Sequence, residues 1–373
     1  MNILILGGGL QGLSCAESLY KSHRVFCVCD GLMSVRSHLY TKVFDSSFAK
    51  GDKLYQLLKD EHIDVLIPVS DINVPYISQN RDDIETKTGT KCAVPSYQNV
   101  YQVEDKSRFM SFCQENDILH PKTLKIDSTT IEQAVEYVGF PALIKPDYSV
   151  GARGITRVNN LEDLKLKLPN VVSKFGNCTI QEFIDNKEYY YNVMLYRDKN
   201  GRFLTHTIIK IVRMYPVNAG SSSCCISVEN DELLDICKDC LDKLNWVGMA
   251  DFDVLQRLDN KEYKIIEINA RVPASLRGAS ISGVNFPEIL VNDAMGVPVP
   301  EYKYSPGKTL RYMGIDIMWL LKSPRRFHSN PCWLKFFGKD IYYMDILKSD
   351  PSTWWTWLAE GISKLGRRNK KLR

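Results

Sequence analysis

The sequence predicts two architectures in one chain. An N-terminal α/β domain on a doubly wound parallel sheet comes first, and an α+β unit with a mostly antiparallel sheet follows. Residues 1–95 alternate short apolar runs with helical patterns, as parallel strands joined by crossover helices do. Residues 176–300 hold long alternating runs separated by short turns, the pattern of an antiparallel sheet. The length of 373 residues exceeds one ordinary core and suits two or three packed units.

In order, ILIL (3–6) is the first strand and runs into GGGLQG and a helix over about 12–21. RVFCVCD (24–30) is the second strand. KLYQLLKDEH (53–62) is helical, DVLIPVS (64–70) is a third strand and KCAVPS (91–96) a fourth. Right-handed crossovers place the loops after these strands along one edge, where ligands bind in such sheets. The next unit spans 105–175. DKSRFMSFCQEN is a helix, HPKTLKI a strand, TIEQAVEYVG a helix ending at Gly139, and FPALIKP a strand leading into the loop SVGARG (149–154).

Beyond residue 176 the strands are CTIQEFI, EYYYNVMLY, RFLTHTIIKIV, GMADFDVLQRL and EYKIIEINA. The helix FPEILVNDAMG closes this unit, and residues 301–373 form an aromatic-rich extension with a basic tail. The domain boundaries expected are therefore 1–104, 105–180, 181–300 and 301–373.

Composition narrows the function. Hydrophobic residues are 44% and charged residues 25%, which excludes disordered, collagenous and coiled-coil chains. No apolar run approaches the ~20 residues of a membrane span. The start, MNILILGGGLQG, lacks a basic region and reads as a buried strand, not a signal peptide. The net charge is +4, and the last seven residues, RRNKKLR, carry five positive charges. The body is close to neutral, which argues against nucleic acid. Eleven cysteines without a secretion signal are expected as reduced thiols in a cytoplasm. Cys237-x-x-Cys240 lies in the helical pattern ELLDICKDCLDKL and has no second pair at zinc spacing.

Gly7-x-Gly9-x-x-Gly12 follows a strand and opens a helix, and Asp30 ends the next strand. That context meets the test for a dinucleotide fingerprint. An NAD(P)-dependent oxidoreductase is thus one reading; a domain that keeps the tight turn for another use is the other.

A second constellation is more specific. Asp253 lies in ADFDV, and Glu267 and Asn269 lie in KIIEINAR, with the turn LDNKE joining two strands as a hairpin. Residues 267 and 269 share a face, and Asp253 can lie opposite them. Two carboxylates and an amide oxygen form a hard-oxygen set suited to Mg²⁺ beside phosphate oxygens. Embedding in apolar IIEIN argues against a solvated pair. Asp251, two residues before Asp253, leaves the ligand set ambiguous.

Lys145 ends the apolar strand ALIKP directly before SVGARG. A strand lysine beside a small-residue loop can hold phosphate oxygens while loop N–H groups cover them. QEFI (181–184) is an edge-like segment that could read an adenine through its main chain, with Glu188 taking ribose hydroxyls.

Together these residues resemble the ATP-grasp superfamily of carboxylate–amine ligases. The resemblance covers residues 1 to about 300 in the family's order. GGGLQG is similar to the opening of the pre-ATP-grasp domain. Lys106 in DKSRF and Lys145 in ALIKP match the two nucleotide lysines. Ser149, Gly151 and Gly154 fall in the phosphate-covering loop. Glu182, Phe183 and Ile184 match the adenine hinge, and Glu188 the ribose carboxylate. Asp253, Glu267 and Asn269 match the magnesium ligands, and Arg271 an arginine facing phosphate or substrate. IIKIVRMYPVNAGSSSC (208–224) resembles the D-aspartate ligase-like, polysaccharide-associated subgroup, which implies Lys210 and Arg213 at the γ-phosphate and acceptor site. ILKSDPSTWWTWL resembles that subgroup's C-terminal extension. Ala270 stands where many relatives have proline, and a complete carbamoyl-phosphate synthase is excluded by length.

The resemblance implies a cytoplasmic ligase using ATP and Mg²⁺, with Mn²⁺ as a substitute, that joins a carboxylate and an amine through an acyl phosphate. A non-catalytic nucleotide-binding protein of the same fold is a further alternative, and a homodimer stays open. Trp354, Trp355, Trp357, Leu358, Ile362 and Leu365 precede the basic tail. They read either as an interfacial membrane contact or, more ordinarily, as tryptophans packed on the body with a solvated tail.

Overall fold

The computed structural model describes residues 1–126, 131–147, 154–186, 190–217 and 220–356. Its first sheet is parallel, with strands β1 (Asn2–Leu6), β2 (Arg24–Val28), β3 (Lys42–Phe44), β4 (Val65–Pro68) and β5 (Lys91–Cys92) in the order β3-β2-β1-β4-β5. Every residue of β1 and β4 is buried except Asn2, as near-continuous apolar runs covered on both faces require. Sequence direction reverses between β1 and β4, so the loops after these two strands, at residues 7–8 and 69–72, flank the crevice where such sheets bind ligands. The short β3 carries no long apolar run and escaped the sequence reading.

The glycine turn is built for contact. Helix Gly9–Leu19 starts inside the motif, earlier than predicted. Gly7 has φ +122°, and a Cβ on Gly12 would stand 2.7 Å from the Gly7 carbonyl oxygen. Only glycine allows the helix to sit this close to the strand end.

The second sheet is small, with β6 (Thr123–Lys125), β7 (Ala142–Pro146), β8 (Thr156–Val158) and β9 (Cys178–Glu182) in the order β6-β9-β7-β8. Helices Ile131–Val138 and Leu161–Phe175 cover it. β9 pairs with β6 on one side and β7 on the other. The QEFI segment therefore starts in an interior strand, which corrects the edge-like reading.

The third sheet contains β10 (Tyr190–Arg197), β11 (Phe203–Tyr215), β12 (Ser221–Val228), β13 (Gly248–Gln256), β14 (Tyr263–Asn269), β15 (Thr309–Arg311) and β16 (Ile341–Tyr343). Their order is β14-β13-β10-β11-β12-β15-β16, antiparallel except for β15 with β16. β12, with sequence SSSCCISV, was hidden by its serines. One face packs on helices Lys106–Glu115 and Asp231–Lys243, burying Phe109, Val193, Phe252 and Trp246. Cys237 and Cys240 lie in that core, wholly buried and free, so CxxC is helix packing. The opposite face meets the N-terminal domain and carries the polar residues discussed below.

The C-terminal segment returns to the first domain. Asp350 accepts hydrogen bonds from Ser37 Oγ at 2.5 Å and the His38 amide at 3.1 Å. In the helical segment 352–356, Thr353 and Thr356 are buried, whereas Trp354 and Trp355 are 48% and 69% exposed. Trp354 is thus about half covered and Trp355 mostly exposed; Trp357, Leu358, Ile362, Leu365 and the basic tail lie outside the described residues. Among the described residues no helix is long and apolar enough to cross a membrane.

Candidate active site

Strand register assembles the site. Asp253 on β13 stands opposite Glu267 on β14, and Asp251 opposite Asn269. Antiparallel partners point to the same face, so all four side chains share it. The next strand adds Asn192 opposite Asp253. Asn192 Nδ2 donates to Asp253 Oδ1, and Tyr190 also hydrogen-bonds this carboxylate.

Crowding of acids in a partly dry pocket shapes their protonation. Burial, and then the Glu267 charge, push Asp253 up to about 7. Asp251 is 2% exposed; burial first and Asp253 second hold it well above the usual carboxylate range. Asn269 Nδ2 donates to Asp251 Oδ2 at 3.3 Å, and Asp251 Oδ1 is buried without a hydrogen-bond partner. Asp251 thus sits beneath Asn269 and orients its amide.

Two lysines face this acidic block from other elements. Lys106, first residue of its helix, places Nζ 3.7 Å from Glu267 Oε2. Asp105 caps that helix by accepting from the Arg108 amide at 2.8 Å. Lys145 on β7 is buried at 6% exposure. Burial lowers it to about 8, with Glu267 opposing and Lys106 reinforcing that shift. A cavity of about 600 Å³ opens beside Lys106 and Glu267, lined also by Asp71, Tyr76, Glu104 and Arg271.

Arg271 bridges to the first domain. Its Nε donates to Asp71 Oδ1 at 2.5 Å, and one terminal nitrogen donates to Asn269 Oδ1 at 3.2 Å. Asp71 lies just past β4, at the crevice of the parallel sheet.

The remaining expectations fare differently. The Glu182 amide donates to the Lys122 carbonyl at 2.8 Å and the Phe183 amide to the Pro141 carbonyl at 3.2 Å. A main-chain donor to a base must then come from Ile184 or beyond. The Glu182 carboxylate is held by Arg257. Ser149, Gly151 and Glu188 lie outside the described residues. Gly154, with φ +80°, has no room for a Cβ, which would stand 2.7 Å from Pro146 Cγ.

Arg213 and Lys210 are corrected. Arg213 is 2% exposed and donates twice, at 2.8 Å each, to Asp316. Arg311 Nε and Ser223 Oγ also donate to Asp316, at 3.0 and 3.1 Å. Such a buried guanidinium holds the C-terminal segment and is not offered to a phosphate. Lys210 pairs with Tyr191, which pairs with Val254. Strand alternation therefore puts Lys210 on the sheet face away from Asp253. Both carboxylate oxygens of Asp30 are taken by Ser46.

Tyr190, Asn192 and Asp71 were missed by sequence reading. The alternation of Tyr190 and Asn192 was visible, but their pairing with a strand some 60 residues away was not.

The donor set fits a hard divalent cation in part. Asp253, Glu267 and Asn269 offer oxygens from one face, and the raised Asp253 signals negative charge short of compensation. Among the described residues no three His, Cys, Asp or Glu side chains converge as a ready metal site. Mg²⁺ ordinarily completes its shell with phosphate oxygens and water, and this arrangement leaves room for them.

Fold and site define a nucleotide-binding enzyme class in which a small lid sheet faces a large antiparallel one. A family model described as ATP-grasp domain matches residues 103–275. Residues 103–275 of the chain are thus an ATP-grasp domain. D-aspartate ligase of Enterococcus faecium is 22% identical over 349 residues, covering 84% of this chain and 82% of that one. The C-terminal section of the carbamoyl phosphate synthase large chain of Methanopyrus kandleri is 22% identical over 270 residues, 64% of this chain. The chain spans 45% of that relative, and 24% of the full large chain of Methanobrevibacter smithii. Among solved structures, N5-carboxyaminoimidazole synthetase of Staphylococcus aureus, complexed with ADP, superposes with TM-score 0.68 at 16% identity, covering 87% of this chain and 86% of that one. Biotin carboxylase of Campylobacter jejuni gives 0.68 at 17%, covering 81% and 73%.

Proposed function

We propose that the chain is an ATP- and Mg²⁺-dependent ligase that joins a carboxylate to an amine. The observation that carries this reading is the register of β13 on β14, which sets Asp253 against Glu267 with Lys106 and Lys145 beside them. A substrate carboxylate oxygen attacks the γ-phosphorus of ATP, the bond to the β,γ-bridging oxygen breaks, and ADP leaves. An amine then attacks the acyl phosphate, losing a proton and expelling phosphate to form the amide. Lys106 and Lys145 hold the phosphate oxygens and spread their charge. Asp253, Glu267 and Asn269 would hold Mg²⁺, which would offset charge on the same oxygens. Arg271, fixed by Asp71 and Asn269, orients the carboxylate at the cavity wall, which raises rate by positioning. Ser149, Gly151 and Gly154 are the proposed phosphate contacts and Glu188 the proposed ribose contact.

The finer reading is an amino-acid ligase of cell-envelope or polysaccharide metabolism, working in the cytoplasm. The match to D-aspartate ligase over most of both chains supports it. The proposed domains are 1–104, 105–180, 181–300 and 301–373, the last adding a weak peripheral membrane contact through its Trp/basic tail.

Calorimetric titration with ADP, with and without Mg²⁺, and with NAD and NADP, tests the reading. It stands if ADP binds in a Mg²⁺-dependent way and a carboxylate–amine pair then stimulates phosphate release. Binding of NAD alone would return the glycine turn to the dinucleotide reading.

A further inference from the structure

Leu334 and Phe337 are 68% and 90% exposed, although the loop that carries them is tightly held. Arg213 and Arg311 each donate a terminal nitrogen to it, to the carbonyls of Pro331 at 2.8 Å and Lys335 at 2.9 Å. Trp333 Nε1 donates to the Asp316 carbonyl at 3.0 Å, and Tyr343 donates to the Phe336 carbonyl at 2.5 Å. The Trp333 and Phe336 rings meet edge to face at 5.0 Å and cover the Arg311 guanidinium. With 333 and 336 turned inward, their neighbours 334 and 337 are turned out.

A buried Arg–Asp–Arg cluster is a costly way to fix a surface loop, and here it fixes apolar tips in water. Leu321 and Phe327, at 59% and 79% exposure, lie in the same stretch. Between residues 317 and 339 stand Lys322, Arg325, Arg326, Lys335 and Lys339, with no aspartate or glutamate. These apolar side chains line neither cavity beside Arg271. They are separate projections among cations, not a groove.

We propose that the 321–339 stretch docks on an anionic lipid bilayer. Phe327, Leu334 and Phe337 enter the headgroup–acyl boundary, and the five cations face anionic headgroups. Projecting aromatic and aliphatic tips suit that shallow boundary, and clustered Lys and Arg suit its negative potential. An acidic protein partner would need a matching hollow for each tip; a bilayer surface needs none. This surface is distinct from the tail beyond residue 356, and it does not depend on the ligase reading.

The test is co-sedimentation of the full chain with phosphatidylcholine vesicles, with and without phosphatidylglycerol. Three full-length variants accompany it: Leu334→Ser with Phe337→Ser, Lys335→Glu with Lys339→Glu, and the five tail cations changed to glutamine. Far-UV circular dichroism checks their folding. The expected result is binding to the phosphatidylglycerol vesicles only. Each of the first two variants should lower the partition coefficient about tenfold or more, and the tail variant by less than about threefold. Wild-type binding by both folded loop variants overturns the proposal. So does loss of binding in the tail variant, or equal binding to neutral vesicles. A concentration-dependent dimer that Leu334→Ser with Phe337→Ser abolishes, with no vesicle binding, assigns the face to a second copy instead.

Discussion

Arg271 and Asp71, 200 residues apart, form an ion pair at 2.5 Å that ties the end of β14 to the crevice of the N-terminal sheet. The same guanidinium touches Asn269. One arginine thus reports the position of the first domain to the edge of the acidic block, and it lines the cavity between them.

Asp71→Asn removes the charge that orients Arg271 and leaves the nucleotide lysines untouched. Substrate-dependent phosphate release should fall about a hundredfold, as for a misplaced positioning group. ADP affinity should stay within about twofold. An equal loss of ADP affinity, by titration, would move Asp71 from orienting substrate to holding nucleotide.

Glu267→Gln keeps shape and removes one negative charge from the acidic block. Mg²⁺-dependent turnover should drop at least about a hundredfold, since the cation's charge stabilisation is worth several kcal/mol. The unfolding midpoint should hold or rise, because Asp253 loses a repelling neighbour. Unchanged turnover at saturating Mg·ATP would remove Glu267 from the site.

Lys145 titrates at about 8 in the free protein because burial disfavours its ammonium. Nucleotide phosphates favour the charged form. Above pH 8 binding must therefore take up a proton, and ADP affinity must rise as pH falls toward 8. Calorimetry at pH 9 in buffers of different ionisation enthalpy should show uptake close to one proton, and almost none at pH 7. Lys145→Met should abolish the uptake and weaken ADP at least about tenfold. Persistent uptake in that variant would assign the proton elsewhere.

Asp316→Asn leaves two buried guanidinium groups without their anion. It should cost about 3–5 kcal/mol in urea unfolding. Arg213→Met should cost less, because Arg311 still pairs with Asp316. Nucleotide affinity of the folded Arg213→Met protein should match wild type. A selective loss of affinity there, at unchanged stability, would restore Arg213 to the phosphate site.

Much of this molecule was legible in one dimension. The helices at 106–115, 231–243 and 286–294 follow from local apolar periodicity, and the β13–β14 hairpin from alternation around one short turn. Asp253, Glu267 and Asn269 were readable as a group for the same reason: a hairpin brings near neighbours in sequence onto one face. Strand alternation is a local property, so the spacing of 267 and 269 already carried their shared orientation.

Only the tertiary structure decided what depends on pairing across long separations. It placed β10 between β13 and β11, which brought Tyr190 and Asn192 to Asp253. It set Lys210 on the far face, because one residue of register inverts a side chain. It enclosed Arg213 with Asp316, 103 residues on, since a buried guanidinium is stable only where the fold supplies its anion. Residue types and local spacing determined which chemistry this chain can carry; strand order and domain packing decided which of those side chains meet.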